Sequence, residues 1–180
     1  MLNEKILIWK VKHGCTDSLR RIYDAHKDDL LTLANALLND RNAAEDIVHD
    51  VFVSFANSVG KLHIRKSLAA YLRTSVRNLA RDRFRSQKRH SEKLSQIRPD
   101  EADGNTPDEL ACQKESELLL RNAIAQLPYE QREVVVLHLR GGLTFRRIAA
   151  MQDVLINTVQ GRYRYGLDKL RSMLNGQVSK

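Results

Sequence analysis

Apolar residues recur at three- and four-residue intervals along almost the whole chain, and this period constrains the fold more than any other feature. No stretch alternates apolar and polar residues long enough to form a half-buried strand, and three Pro and eight Gly are too few to cut 180 residues into short strands. An all-α protein is expected. The length suits two small helical domains, each with a modest core of its own.

Local signals set the expected boundaries. After Gly14, Thr16 and Asp17 can cap a helix whose Leu19, Ile22, Tyr23, Leu30, Leu33, Ala34 and Leu37 share a face. Asn39 to Asn42 turns the chain, a third helix runs from about Ala43 to Ala56, and Ser67 caps a fourth that reaches about Phe84. From Ser86 to Asn105 apolar residues thin out while Pro99, Asp100, Glu101, Asp103 and Gly104 accumulate, the composition of a flexible linker. Thr106-Pro107-Asp108-Glu109 is a capping-box signature that opens a second domain. The expected division is residues 1–85, a linker over 86–105, and a second domain over 106–180. Pro128 opens a helix that stops at Gly141-Gly142, and two helices follow from Thr144 and about Ile156.

Composition narrows the partners. Lys and Arg number 30 against 22 Asp and Glu, a formal net charge of +8 that suits a polyanion without naming one. Cys15 and Cys112 are far apart and lack neighbours at metal-ligand spacing, so neither a disulfide framework nor a zinc site is expected and a reducing cytoplasm is the natural compartment. The run Ile6-Leu7-Ile8-Trp9 lies among Lys5, Lys10 and Lys12 and is far too short for a membrane span.

Three clusters could carry function. In the third helix Asp46, His49 and Asp50 fall on one face while Ala44, Val48, Val51 and Phe55 fall on another, giving an acidic patch on a basic protein. Such a patch is either solvated or a docking surface for a basic helix. In the fourth helix Arg73, Arg77, Arg81 and Arg85 recur every fourth residue, a ladder suited to successive phosphates, with Asn78 beside it to read a base edge. Lys61, His63, Arg65, Lys66 and Tyr71 just upstream offer charge and an aromatic ring for an unpaired strand. Residues 143–170 have the layout of a helix-turn-helix. With Val159, Tyr163, Leu167 and Leu170 turned to the core, Asn157, Thr158, Gln160, Arg162, Arg164 and Tyr165 would face a major groove or solvent.

In this order the clusters resemble the sigma factors of bacterial RNA polymerase, specifically the compact extracytoplasmic-function group. The resemblance covers nearly the whole chain. It rests on Ala44-Glu45-Asp46 through Asp50-Val51-Phe52, Tyr71-Leu72 through Arg77-Asn78-Leu79-Ala80-Arg81-Asp82, Leu127-Pro128 with Gln131-Arg132-Glu133, then Ile148-Ala149, Thr158-Val159 and Lys169-Leu170-Arg171. It implies that Glu45, Asp46, His49 and Asp50 dock on the beta-prime coiled coil of the polymerase core. The loop from Gly60 to Lys66 and the fourth helix would engage the downstream promoter element and trap unpaired bases, and the second domain would read the upstream element as duplex. Promoter melting would follow from binding the unpaired strand more tightly than the duplex. An anti-sigma protein becomes a candidate partner, because members are often held by one. No catalytic residue, cofactor or metal is implied, and the free chain is expected to be a monomer without a further C-terminal domain.

The chain departs from the family pattern at several positions. Tyr71 stands where Trp is usual, His49 where Gln is, Arg147 where Glu is, Asp153 where Gly is, Leu155 where a Ser cap is, and Tyr165-Gly166 where Arg-Ala is. Gly161 and Gly166 each cost about 1 kcal/mol relative to Ala inside a helix, so a weakened recognition helix is expected. Two other readings fit less of the chain. An independent DNA-binding regulator leaves the acidic helix and the arginine ladder unused, and a nucleic-acid enzyme lacks paired carboxylates, a His cluster or a Gly-rich phosphate loop.

Overall fold

The computed structural model of the protein describes residues 2–62, 67–94 and 113–178. Among them are eight α-helices and no strand: α1 (Leu2–Lys12), α2 (Thr16–Leu38), α3 (Arg41–Ser58), α4 (Leu68–Leu94), α5 (Gln113–Ala125), α6 (Tyr129–Leu139), α7 (Phe145–Gln152) and α8 (Ile156–Val178). Helices α1 to α4 form one compact unit and α5 to α8 another. Thr106 to Glu109, most of the expected linker, and His63, Arg65 and Lys66 lie outside the described residues.

In the first unit α2 is central, packing against α1, α3 and α4. Its Ile22, Leu30, Leu33, Ala34 and Leu37 meet Ile47, Val48, Val51 and Phe55 of α3 and Leu68, Leu72, Val76 and Ala80 of α4 in one core, all of them buried. Each large side chain there contributes about 1.5–3 kcal/mol by leaving water. The ends follow local chemistry. Asn39 closes α2 in the left-handed conformation (φ 55°, ψ 32°), which Asn tolerates better than most residues, and the Asp40 carboxylate caps α3 by accepting from the Ala43 N–H at 3.0 Å. Ser67 Oγ accepts from the Ala70 N–H at 3.3 Å and starts α4. Helix α2 departs from expectation, because Cys15 rather than Thr16 or Asp17 occupies its N-cap. Ser18 Oγ donates to the Cys15 sulfur at 3.2 Å, and this bond, with the Ser18 backbone N–H, holds the thiol below its ordinary range.

Helix α4 also differs from its expected end near Phe84, continuing to Leu94 through half of what composition marks as linker. The packed portion has already met the cost of nucleating the helix. Each further residue adds a backbone hydrogen bond, Arg, Gln and Lys are good helix formers, and cations near a C-terminus interact favourably with the helix dipole.

In the second unit α8 packs against α5, α6 and α7. Helix α6 runs through the middle, with Val134, Val135, Val136 and Leu137 all buried and Leu139 exposed beyond them. Ala123, Leu127, Val135 and Leu170 form a core that Ile124, Tyr163 and Leu167 extend. Gly166 is buried where α8 crosses α6, and a Cβ placed on it would lie 2.9 Å from Val135 Cγ2. The glycine therefore lets two helices approach, whereas a Cβ at Gly161 would meet nothing within 4 Å.

The two glycines are predicted to behave oppositely. Gly161→Ala should stabilise the second unit by about 0.5–1 kcal/mol through helix propensity, and Gly166→Ala should destabilise it by about 1–2 kcal/mol because a stiff Val side chain must move. Urea unfolding of the two variants checks this, and equal shifts of the same sign would contradict it.

Candidate nucleic-acid interface

Burying Val48, Val51 and Phe55 turns Glu45, Asp46, His49 and Asp50 of α3 outward, and all four are exposed. Two of the acids have partners. Glu45 pairs with Arg41 at 3.0 Å, one turn back, and Asp46 pairs with Arg83 of α4 at 3.5 Å. The side chains of the second pair are 41% and 64% exposed, so it contributes at most about 1 kcal/mol and a stronger cation can displace Arg83. Val53, seven residues after Asp46 and so on the same face, is 46% exposed. Sequence reasoning passed over it. The stripe thus ends on an exposed apolar side chain beyond its carboxylates, and protein-binding patches commonly combine the two.

The arginine ladder of α4 divides in two. Each residue turns an α-helix by about 100°, so a four-residue step overshoots a full turn by about 40°. From Arg73 to Arg85 the ladder therefore swings by about 120°, from the flank of the apolar stripe to open solvent. Arg73 is held by Asp29 of α2, with Nη2 and Nε at 2.8 and 2.9 Å from the same carboxylate oxygen. Arg77 is only 4% exposed and donates to Asn78 Oδ1 at 3.2 Å. Expected on the phosphate-facing stripe, Arg73 and Arg77 instead belong to the packing between helices. Arg81 is half-buried and Arg85 exposed, and they share a side of α4 with exposed Asn78 and half-buried Tyr71, whose ring lies 6.2 Å from that of Phe55. Lys61, which precedes α4 in the chain, is exposed.

In the second unit Thr144 caps α7, accepting from the Arg147 N–H at 3.4 Å, and Asp153 ends it in the left-handed conformation (φ 54°, ψ 49°). Asp thus adopts the backbone that favours glycine at the turn of the helix-turn-helix. Leu155, at the start of α8, has no side-chain oxygen to cap with; its carbonyl accepts from the Thr158 N–H at 3.0 Å and its side chain is 77% exposed. Asn157, Thr158, Gln160, Arg164 and Tyr165 are exposed, with the Arg164 guanidinium 5.3 Å from the Tyr165 ring centre.

Arg162 departs from that outward set. It donates to Gln152 Oε1 at 2.8 Å, and Gln152 Nε2 donates to Glu133 Oε2 at 2.7 Å, a relay from α8 through α7 to α6. Three residues after buried Val159, Arg162 sits beside the core stripe rather than across from it. Glu133 and Gln152 are 2% and 5% exposed. Arg132 donates to the carbonyls of Ala125 and Leu127, closing the C-terminal end of α5, and burial lowers its pKa from the usual guanidinium range. A carboxylate set directly before Val134-Val135-Val136 was the available sign that Glu133 is internal. Among the described residues no group of three or more His, Cys, Asp and Glu is placed to hold a metal, and no helix is long and apolar enough to cross a membrane.

Known proteins resemble both units. Residues 22–90 match the family Sigma-70 region 2, and residues 117–170 match Sigma-70, region 4. The ECF RNA polymerase sigma factor SigW of Bacillus subtilis is 27% identical over 176 residues, covering 93% of this chain and 94% of that protein. The fold resembles that of the sigma factor RpoE of Bartonella quintana, solved with the anti-sigma factor NepR, at a TM-score of 0.67 and 20% identity over 87% of this chain and 96% of that one. CnrH, solved with the cytosolic domain of CnrY, gives a TM-score of 0.65 at 19% identity, covering 97% and 98% of the two chains.

Stability should separate the inward arginine from the outward one. Arg77→Ala is predicted to cost about 1–3 kcal/mol through lost packing and hydrogen bonding, and Arg81→Ala to stay within about 0.5 kcal/mol of the parent. Gln152→Leu, which removes a hydrogen bond to a buried carboxylate, should cost about 1.5–3 kcal/mol. Chemical denaturation measures all three, and a neutral Arg77→Ala would contradict its assignment to the core.

Proposed function

This chain belongs to the extracytoplasmic-function group of sigma factors, and from that premise we propose which of its surfaces perform each step of initiation. As a member it is a promoter-specific initiation factor that works with RNA polymerase core and promoter DNA, and it is not an enzyme. The face of α3 that carries Glu45, Asp46, His49 and Asp50 docks on the beta-prime coiled coil of the core. The observation that carries this assignment is an exposed acidic stripe on a chain of net charge +8. A basic partner displaces Arg83 from Asp46 at little cost, because that pair is exposed.

Lys61, Tyr71, Asn78, Arg81 and Arg85, with His63, Arg65 and Lys66, hold the downstream element. Arg73 and Arg77 act indirectly, by fixing how α4 sits. The Tyr71 ring gives an unpaired base a stacking surface, worth about 1–3 kcal/mol, and binding the unpaired strand more tightly than the duplex draws the melting equilibrium open. In the second unit, residues 106–180 by the sequence division, Asn157, Thr158, Gln160, Arg164 and Tyr165 meet the upstream element, with Arg162 holding the helix that presents them. The chain works where polymerase does, in the cytoplasm. An anti-sigma protein is its candidate regulator, by analogy with RpoE and its partner NepR.

Binding of the purified chain to polymerase core tests the docking assignment. Wild type should bind with nanomolar affinity, and the Asp46→Ala, Asp50→Ala double variant about ten- to a hundredfold more weakly, at 1.4 kcal/mol per decade. Equal binding by both proteins would remove these carboxylates from the interface.

A further inference from the structure

The recognition helix begins with two apolar side chains that face solvent. Leu155, whose carbonyl accepts from the Thr158 and Val159 N–H groups, is 77% exposed, more than any other large apolar residue among those described, and Ile156 beside it is 41% exposed. Folding gains little from side chains left in water. Leu155 also carries a cost, because Ser, Thr, Asn or Asp in its place would accept from a free N–H of the first turn and stabilise α8. Single apolar residues scattered on a surface are ordinary, but an adjacent pair where the chain gives up a helix cap calls for a use. The rotation of α8 shows what adjoins the pair. At about 100° per residue, exposed Ile156, Asn157, Gln160 and Arg164 fall within an arc of about 100° that leaves out buried Val159, Gly166 and Leu170. Leu155 and Ile156 therefore extend, at its N-terminal end, the face assigned to the upstream element.

We infer that Leu155 and Ile156 read thymine in the upstream element, by packing against the 5-methyl groups that thymine presents in the major groove. The inference rests on the assignment of α8 to that element above. Three features favour it. A recognition helix enters the groove with its N-terminal residues contacting base edges, so side chains at its head are the ones that meet them. Thymine alone among the four bases offers an apolar group in that groove, and methyl contact is the one base-edge interaction open to Leu and Ile. The neighbouring side chains suit the same groove: the amides of Asn157 and Gln160 match adenine, and the guanidinium of Arg164 matches guanine. A protein partner fits less well, because two apolar side chains bordered by amides and a guanidinium fall far short of the about 800 Å² that each partner buries in a stable interface. Burying one methyl group adds about three- to fivefold in affinity, so the pair makes the factor prefer thymine at particular steps without supplying most of the binding.

The test uses holoenzyme assembled from polymerase core and the full chain, with a promoter that the wild-type holoenzyme selects from a random-sequence pool. Each thymine of the upstream block is replaced in turn by uracil, which removes the 5-methyl group and leaves the base pair intact. Uracil at one or two positions should weaken wild-type binding by about three- to fivefold each. Leu155→Ser should abolish the penalty at one of these positions and Ile156→Ser at its neighbour, while Leu155→Met, which keeps an apolar side chain, should retain it. Leu155→Ser should also unfold at higher urea than wild type, since it gains a cap, so affinity and stability move in opposite directions. A selected block without thymine, a wild type indifferent to uracil throughout the block, or a Leu155→Ser protein that keeps the full penalty would overturn the proposal. So would variant losses that are equal on thymine and uracil probes, which would place the pair on polymerase or on phosphates. If Gln160→Ala and Arg164→Ala leave upstream binding unchanged, the assignment of α8 fails and the proposal with it, whereas losses there without any uracil penalty overturn the methyl contact alone.

Discussion

Burial of Leu68, Leu72, Val76 and Ala80 fixes the rotation of α4, and most of what the first unit does follows from that angle. The apolar stripe repeats every four residues, as the arginines do one position later. Against a core of fixed direction the ladder swings outward by about 120°, and the buried stripe ends at Ala80, so the arginines beside the core at one end of the helix are outside it at the other. Arg73 and Arg77 thereby become fasteners to α2 and to the Asn78 side chain, while Arg81 and Arg85 reach solvent with Asn78 between the two groups. One geometric mismatch supplies both a rigid mounting for the helix and a charged face on it.

The second unit solves a similar problem with polar groups. Its recognition helix carries three glycines and starts without a side-chain cap, so helix propensity alone would hold it weakly. Tertiary structure compensates. Gly166 lets α8 lie close against Val135, and Arg162 ties α8 through Gln152 to a carboxylate buried in α6. Buried polar relays of this kind are costly when broken and specify one arrangement when whole. Residues that depart from the family pattern at the surface thus coexist with a firmly located helix.

How far the sequence could be read depended on the range of the interaction involved. Caps act over three residues, so Ser67 and Thr144 mark helix starts that the structure places there, while α3 begins at Arg41, two residues before its expected start at Ala43. The all-helical architecture was legible for the same reason, because its period is local. Arg77 and Arg162 were not, since their side chains lie within about 100° of a buried stripe and only the packing decides which way such residues turn. Gly166 looks like a defect until Val135, far away in sequence, is brought beside it. The continuation of α4 past Phe84 escaped notice because hydrophobic period reports burial, and a solvated helix buries nothing. Val53 was missed because an apolar residue off the core face carries no signal of its own in the sequence, and it is exposed.

The central claim is that this chain turns a polymerase core into a promoter-selective enzyme, and transcription itself tests that most directly. Core polymerase is incubated with DNA fragments of random sequence, with and without the purified chain, and the 5′ ends of the transcripts are mapped. The account predicts discrete starts that appear only with the chain and share two sequence blocks at a fixed spacing. Transcripts unchanged by the chain, from a protein that nonetheless binds duplex DNA alone, would contradict it.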